Sequence, residues 1–228
     1  MRTFFLFYLL SVLLRNPLLA LVLVALVLYF GEARARGRYF NPSRLWERRS
    51  AISELRRTVA INEHDAAAHN DLGRLLLEAG KVEQARPHLE KAIARMPESA
   101  ETNFYYGLCL LRCGEEEKGL AHIERALEIS PRLRYGDPQL EVARYFAQRG
   151  RHEETRQWAR RAVAINTSNV EAWVLLGEAA AAAGDFDEAR RAFLAAREAF
   201  AGLPSYLRFP ARRWLARAKR GQRRLARA

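Results

Sequence analysis

The chain has 228 residues, half of them hydrophobic, with 38 basic and 26 acidic side chains, a formal net charge of +12 and a pI near 10.4. Two cysteines exclude a disulfide framework, and no phosphate-cradling glycine loop, serine elbow or zinc spacing is present, so no catalytic residue, metal ligand or cofactor is expected. The charge is also too unevenly placed to read as a nucleic-acid surface: residues 1–57 hold +7, residues 58–205 hold −4, and residues 206–228 hold +9.

Residues 3–30 contain one charge, Arg15, in an otherwise almost wholly apolar run. A single helix over this stretch would be about 42 Å long, against a hydrocarbon core of roughly 30 Å. Arg15-Asn16-Pro17 accounts for the excess. A residue before proline avoids the helical region, and Asn-Pro suits an N-cap followed by a first helical position. Residues 1–33 are therefore expected to form a membrane anchor of two apolar helices broken at Asn16-Pro17. The second helix either crosses the bilayer alone or pairs with the first as a hairpin. Cleavage as a signal peptide at Ala33-Arg34-Ala35 is disfavoured, because the apolar run is about twice the usual length. Arg15, Arg34, Arg36 and Arg38 are expected at lipid headgroups. The arginine-rich flank on the C-terminal side of the run places the rest of the chain in the cytoplasm.

A basic juxtamembrane linker is expected over 34–50 and a half-unit over 51–65, with Ala51, Ile52, Leu55, Val59 and Ile61 at helical spacing. Beyond it, Gly80, Gly114, Gly150 and Gly184 recur in one phase, at steps of 34, 36 and 34 residues. Each step pairs two amphipathic helices. Leu72, Gly73 and Leu76 precede Ala85, Leu89 and Ala92 in the first unit. Tyr106, Gly107 and Leu110 precede Gly119, Ile123 and Ala126 in the second, and Trp173, Leu176 and Gly177 precede Ala189, Phe193 and Ala196 in the fourth. The third unit is weaker, with Ala143 for glycine, Thr155 for alanine and Thr167 for the closing proline. Asp65, Ser99, Asp137 and Asn169 stand where N-caps are needed, and Pro87 should mildly kink a second helix.

These motifs resemble tetratricopeptide repeats, closely over 66–201 and loosely over 51–220. The resemblance implies an all-α solenoid of about four helix-turn-helix repeats. A C-terminal capping helix is expected over Tyr206–Arg220, with Trp214, Leu215 and Ala218 facing inward, since a terminal repeat cannot leave its apolar face in water.

In such arrays the first helix of each pair lines a concave groove. The residues so placed are Asn70, Arg74, Phe104, Tyr105, Leu108, Arg112, Leu140, Arg144, Gln148, Val174 and Glu178. Phe104 and Leu108, one turn apart, are the expected apolar anchors, with Arg74, Arg112 and Arg144 supplying charge. Some relatives grip a terminal carboxylate with a lysine–asparagine clamp; Asn70 and Arg74 stand at those places here and do not reproduce it. The remaining chemistry-bearing side chains point elsewhere. His64, His69, His88, His122 and His152 are scattered. Glu115, Glu116 and Glu117 read as a solvated turn, and Cys109 and Cys113 as paired core thiols on one helix.

The arginine bias, 34 to 4 over lysine, fits a GC-rich bacterial genome. The expected protein is thus an inner-membrane-anchored scaffold with its repeats in the cytoplasm, binding other proteins through the groove and the membrane through residues 3–30, with no DNA partner. Two alternatives stand beside it. One is a periplasmic assembly factor in cytochrome or envelope maturation; the other is an RNA- or lipid-binding protein acting through the basic tail, which lies within residues 202–228.

Overall fold

The computed structural model describes residues 42–226, together with Leu18 and Val22. The expected anchor helices, their break at Asn16-Pro17, and Arg15, Arg34, Arg36 and Arg38 lie outside the described residues. Among the described residues no helix is long and apolar enough to cross a membrane.

From residue 42 onward ten α-helices succeed one another: α1 Pro42–Ile61, α2 Ala66–Glu78, α3 Val82–Arg95, α4 Ala100–Arg112, α5 Glu116–Ile129, α6 Asp137–Gln148, α7 His152–Ile165, α8 Val170–Ala182, α9 Phe186–Gly202 and α10 Ser205–Leu225, with one 3₁₀ turn over Leu133–Gly136. Helices α2/α3, α4/α5, α6/α7 and α8/α9 are the four expected pairs. Successive first helices lie closer to each other than successive second helices do. The stack therefore curves with α2, α4, α6 and α8 on its inner side, and α10 continues that inner row.

Local chemistry explains the boundaries. Asp65, Ser99 and Asn169 each accept the N–H three residues on, from Ala68, Thr102 and Ala172, satisfying a donor that the first turn leaves open. The turn glycines close each first helix with φ of 74°, 88°, 70° and 80°. At the first of them the Gly80 N–H bonds Leu77 O while the Lys81 N–H bonds Leu76 O, and the same pair of bonds recurs at Gly114, Gly150 and Gly184. A left-handed residue is what that closure needs. Where α4 crosses α5, a Cβ on Gly107 would meet Gly119 O at 2.6 Å, so this crossing is backbone against backbone. The weak third unit packs as its register requires: Ala143 is fully buried, Thr155 Oγ1 donates to Arg151 O, and Thr167 O accepts from the Trp173 indole.

Several expectations are corrected. The linker expected to run to residue 50 is helical from Pro42, because Ile52, Leu55 and Val59 pack onto the first pair and the Arg48 guanidinium reaches Glu78 O from the turn before them. Asp137 is not the cap of α6 but its first residue; Gly136, at φ 91°, takes the cap position.

The 36-residue step has its two extra residues in the loop between α5 and α6. There Arg134 (φ 48°), Tyr135 (φ 54°) and Gly136 are left-handed in succession, at a cost of about 1–2 kcal/mol for each non-glycine residue. Leu133 turns into the core while Tyr135 stays 79% exposed. At the far end, α10 runs five residues beyond the expected Arg220. It buries Ala218 fully and packs Ala211 and Trp214 on a small core of Val170, Val174, Ala189, Phe193 and Ala196. This covers the apolar side of the last pair.

Candidate functional site

The inner row of helices forms a groove with two compartments of different character. The first lies between α2, α4 and the start of α6, with a volume of about 200 Å³. Its floor is Phe104, Tyr105, Leu108 and Leu77, and its rim is Arg74, Glu78, Arg112, Arg134, Asp137 and Glu141. Three arginines face three carboxylates there, and they pair. Arg74 contacts Glu78 at 3.1 Å and Asp71 at 3.5 Å. Arg112 donates to Leu77 O at 2.9 Å and lies 3.8 Å from Glu141, and Arg134 donates to Asp137 at 3.2 Å. The Tyr105 hydroxyl is buried beneath them without a hydrogen-bond partner, and burial pushes its pKa above the usual phenol value.

The second compartment, about 540 Å³, lies between α6, α8 and α10. Arg144, Ala147 and Gln148 come from α6, Glu171 and Leu175 from α8, and Arg213, Trp214, Ala216, Arg217 and Arg220 from α10. A neighbouring hollow of about 660 Å³ continues it along α10, past Glu178 and Phe193 to Arg224 and Leu225. Both carboxylates are held by their own arginines. Glu171 takes two bonds from Arg144, which also binds Glu141, and Glu178 takes two from Arg217. Burial works against the Arg144 charge, but Glu171 and Glu141 more than offset it and its pKa is raised. Arg213 lies over Trp214, 4.9 Å from the ring centroid, and Arg220 lines both hollows. Neither has a carboxylate within 4 Å among the described residues.

The structure thus sorts the eleven residues expected to contact a partner. Arg74, Phe104, Tyr105, Leu108 and Arg112 gather in the first compartment, Arg144 and Gln148 in the second, and Glu178 in its continuation. Asn70, Leu140 and Val174 line neither and are buried. Phe104 and Leu108, expected to stand open as anchors, are 3% and 8% exposed: neighbouring helices cover them, so they form a floor. The arginines expected to offer free charge are engaged within the array.

Sequence reasoning missed this network between repeats, and it read the basic run of α10 as a tail without placing Arg213 and Arg220 in the groove. A signal for the network existed. Arg86–Glu115, Arg112–Glu141, Glu116–Tyr145 and Arg156–Asp185 all join residues 29 apart, the separation at which one repeat's side chain meets the next. Glu115 and Glu116, read as a solvated turn, are members of it. Glu115 sits between Arg86 and Lys118, and the hydrogen bond from Arg151, followed by that from Tyr145, holds the Glu116 carboxyl below the usual range. The histidines are not all scattered either. His69 Nδ1 lies 2.9 Å from His88 Nδ1, and His122 Nδ1 lies 2.9 Å from Asn103 Oδ1. Among the described residues no group of three His, Cys, Asp or Glu is placed to hold a metal ion. Burial, then neighbouring Cys113, pushes the Cys109 thiol up to about 12, which keeps it protonated and unreactive.

Four stacked helix pairs, a capping helix and a groove along the inner row define a helical repeat solenoid. The chain belongs to the tetratricopeptide repeat family, whose profiles match residues 47–86, 70–133 and 146–212. Among solved structures it is similar to MamA, at 19% identity over 74% of this chain and 92% of that one, with a TM-score of 0.59. It is also similar to MamA 41-end from Desulfovibrio magneticus RS-1, at 16% identity over 78% and 96%, with a TM-score of 0.58. A third is YrrB, described as a TPR protein with an unusual peptide-binding site, at 19% identity over 75% and 90%, with a TM-score of 0.53. At these identities the likeness is one of fold. No curated protein sequence matches the chain.

Proposed function

We propose that this protein is a membrane-anchored scaffold that holds a segment of a partner protein in the inner groove of its repeats. The observation that carries the reading is the groove itself. Its second compartment stays open between three helices, with exposed Gln148 and the partly exposed ring of Trp214 beside charged groups, and aromatic and arginine side chains in one concave site are the usual makings of a binding anchor. The peptide-binding site named for YrrB supports the same use of this fold.

The tether is the apolar run at residues 3–30 with arginines behind it. It would hold the repeats at the cytoplasmic face of a bacterial inner membrane and raise the local concentration of whatever they bind. Two measurements test the two halves. A photo-crosslinking residue at Gln148 or Glu78, on the groove, is expected to trap a partner in membranes, while the same residue at Gln157, on an outer helix, is not. Equal trapping at all three positions would remove the groove from the proposal. Labelling of a cysteine introduced at exposed Gln157, in intact versus opened cells, is expected to succeed only after opening. Labelling in intact cells would instead place the repeats in the periplasm and favour an assembly role in the envelope.

A further inference from the structure

The two compartments differ in what their charges do, and the difference lies in α10. Residues 206–228 carry nine basic side chains and no acidic one. Arg213, Arg217 and Arg220 fall at i, i+4 and i+7, one helical face, and that face looks into the groove. Arg217 is neutralised by Glu178. Arg213 and Arg220, two turns and about 10.5 Å apart along the axis, are left without a carboxylate, and between them the half-buried ring of Trp214 stands over a floor that includes buried Leu175. Because Glu171 and Glu178 are each already held by two hydrogen bonds, the compartment has no carboxylate left to offer these two arginines.

We propose that the second compartment is a docking site for an acidic segment of a partner protein, whose carboxylates pair with Arg213 and Arg220 while an apolar side chain between them rests on Trp214 and Leu175. This rests on the groove reading above and adds the partner's chemistry to it. Guanidinium forks suit carboxylates because they form paired, directed hydrogen bonds. A concave site with an apolar floor favours a side chain bearing a peptide over a flat lipid surface, and the basic residues outside the groove, Arg212 and Lys219 among them, are not needed for it.

The test uses the full chain in detergent and a fluorescein-labelled peptide Glu-Glu-Leu-Glu-Glu, followed by anisotropy. The peptide is expected to bind with an affinity that falls as salt rises, and both Gln-Gln-Leu-Gln-Gln and Glu-Glu-Gly-Glu-Glu are expected to bind at least tenfold more weakly. The R213Q/R220Q variant is expected to lose at least tenfold in affinity, whereas R212Q/K219Q, which removes the same charge outside the groove, changes it less than twofold. Among the described residues neither Arg213 nor Arg220 makes an ion pair, and the variant gives up only the Arg213 contact over the Trp214 ring, so its circular dichroism should match the parent and its melting temperature should fall by no more than about 4 °C. Equal losses in the two variants would reduce the effect to general surface charge and overturn the proposal. So would binding to phosphatidylglycerol vesicles that competes with the peptide and depends equally on both pairs. Crosslinking from Gln148 in membranes separates the two levels. Trapping that persists undiminished in R213Q/R220Q keeps the groove and removes the acidic partner; no trapping in the parent removes both.

Discussion

The first and second compartments are built on the same repeat geometry, one floor of packed side chains between neighbouring inner helices, yet their electrostatics are opposite in consequence. In the first, Arg74, Arg112 and Arg134 are matched by Glu78, Glu141 and Asp137, and Arg112 also ties α4 to Leu77 O of α2, so the charge is used up within the array. In the second, the neighbour of the last pair is the capping helix, whose sequence supplies arginine without acid, so charge is left over. Arg74, Arg112 and Arg144, the inner-row arginines with another repeat beside them, each meet a carboxylate. Surplus capacity appears at the end, where the row of repeats stops.

The comparison breaks most directly by reversing charge in one compartment. Converting Arg213 and Arg220 to glutamate is expected to abolish binding of the acidic peptide, a loss of more than a hundredfold by anisotropy, with the circular dichroism spectrum unchanged. Reversing Arg112 alone should instead lower the melting temperature and leave the peptide affinity within twofold, because that arginine bridges α4 to α2 and α6.

The structural side of the second compartment is sharpened by Glu171→Ala. It strands Arg144, whose side chain is only 34% exposed, leaving Glu141 as its one acidic partner. Removing one partner of a well-buried pair costs about 3–5 kcal/mol; with solvent screening here and Glu141 still in place, about 2 kcal/mol is expected. For a domain of this size that is a fall in melting temperature of about 4–8 °C. A loss below about 0.5 kcal/mol would show that the bridge is ornamental.

In the first compartment, Tyr105→Phe removes a buried hydroxyl that has no hydrogen-bond partner. An unsatisfied buried polar group costs about 1–3 kcal/mol, so the variant should be equal to the parent or about 1 kcal/mol more stable in chemical denaturation. Destabilisation would mean that the hydroxyl has a partner in solution.

The smallest effect is on pH. The His69 Nε2–H donates to Glu63 O, and the His69 and His88 Nδ1 atoms lie 2.9 Å apart. Burial, then His69, Lys91 and Arg56, hold the His88 pKa below the ordinary histidine value, and burial does the same for His122. The unfolded chain therefore binds protons that the folded chain refuses. Stability is full above about pH 6.5 and declines as the pH falls through the unfolded value toward the lower folded ones. Urea unfolding at pH 7.5 and pH 5.5 should show this decline, and replacing His88 with glutamine should reduce it.

The repeat register, the N-caps at Asp65, Ser99 and Asn169, and the turn glycines were legible because each is satisfied within a few residues of itself. The groove was legible only as a direction. Periodicity places Phe104 and Leu108 on the inner face of α4, but whether that face is open depends on helices from other repeats. Likewise Arg144 reads as free charge until Glu171, 27 residues on, is brought alongside.

By itself, then, the sequence determined the number of repeats, their phase and the uneven distribution of charge, because these come from local backbone preference and composition. Only the tertiary structure decided which arginines are already paired and which remain available. Pairing is a matter of a few ångströms between side chains on different helices, and that spacing exists only once the repeats are stacked.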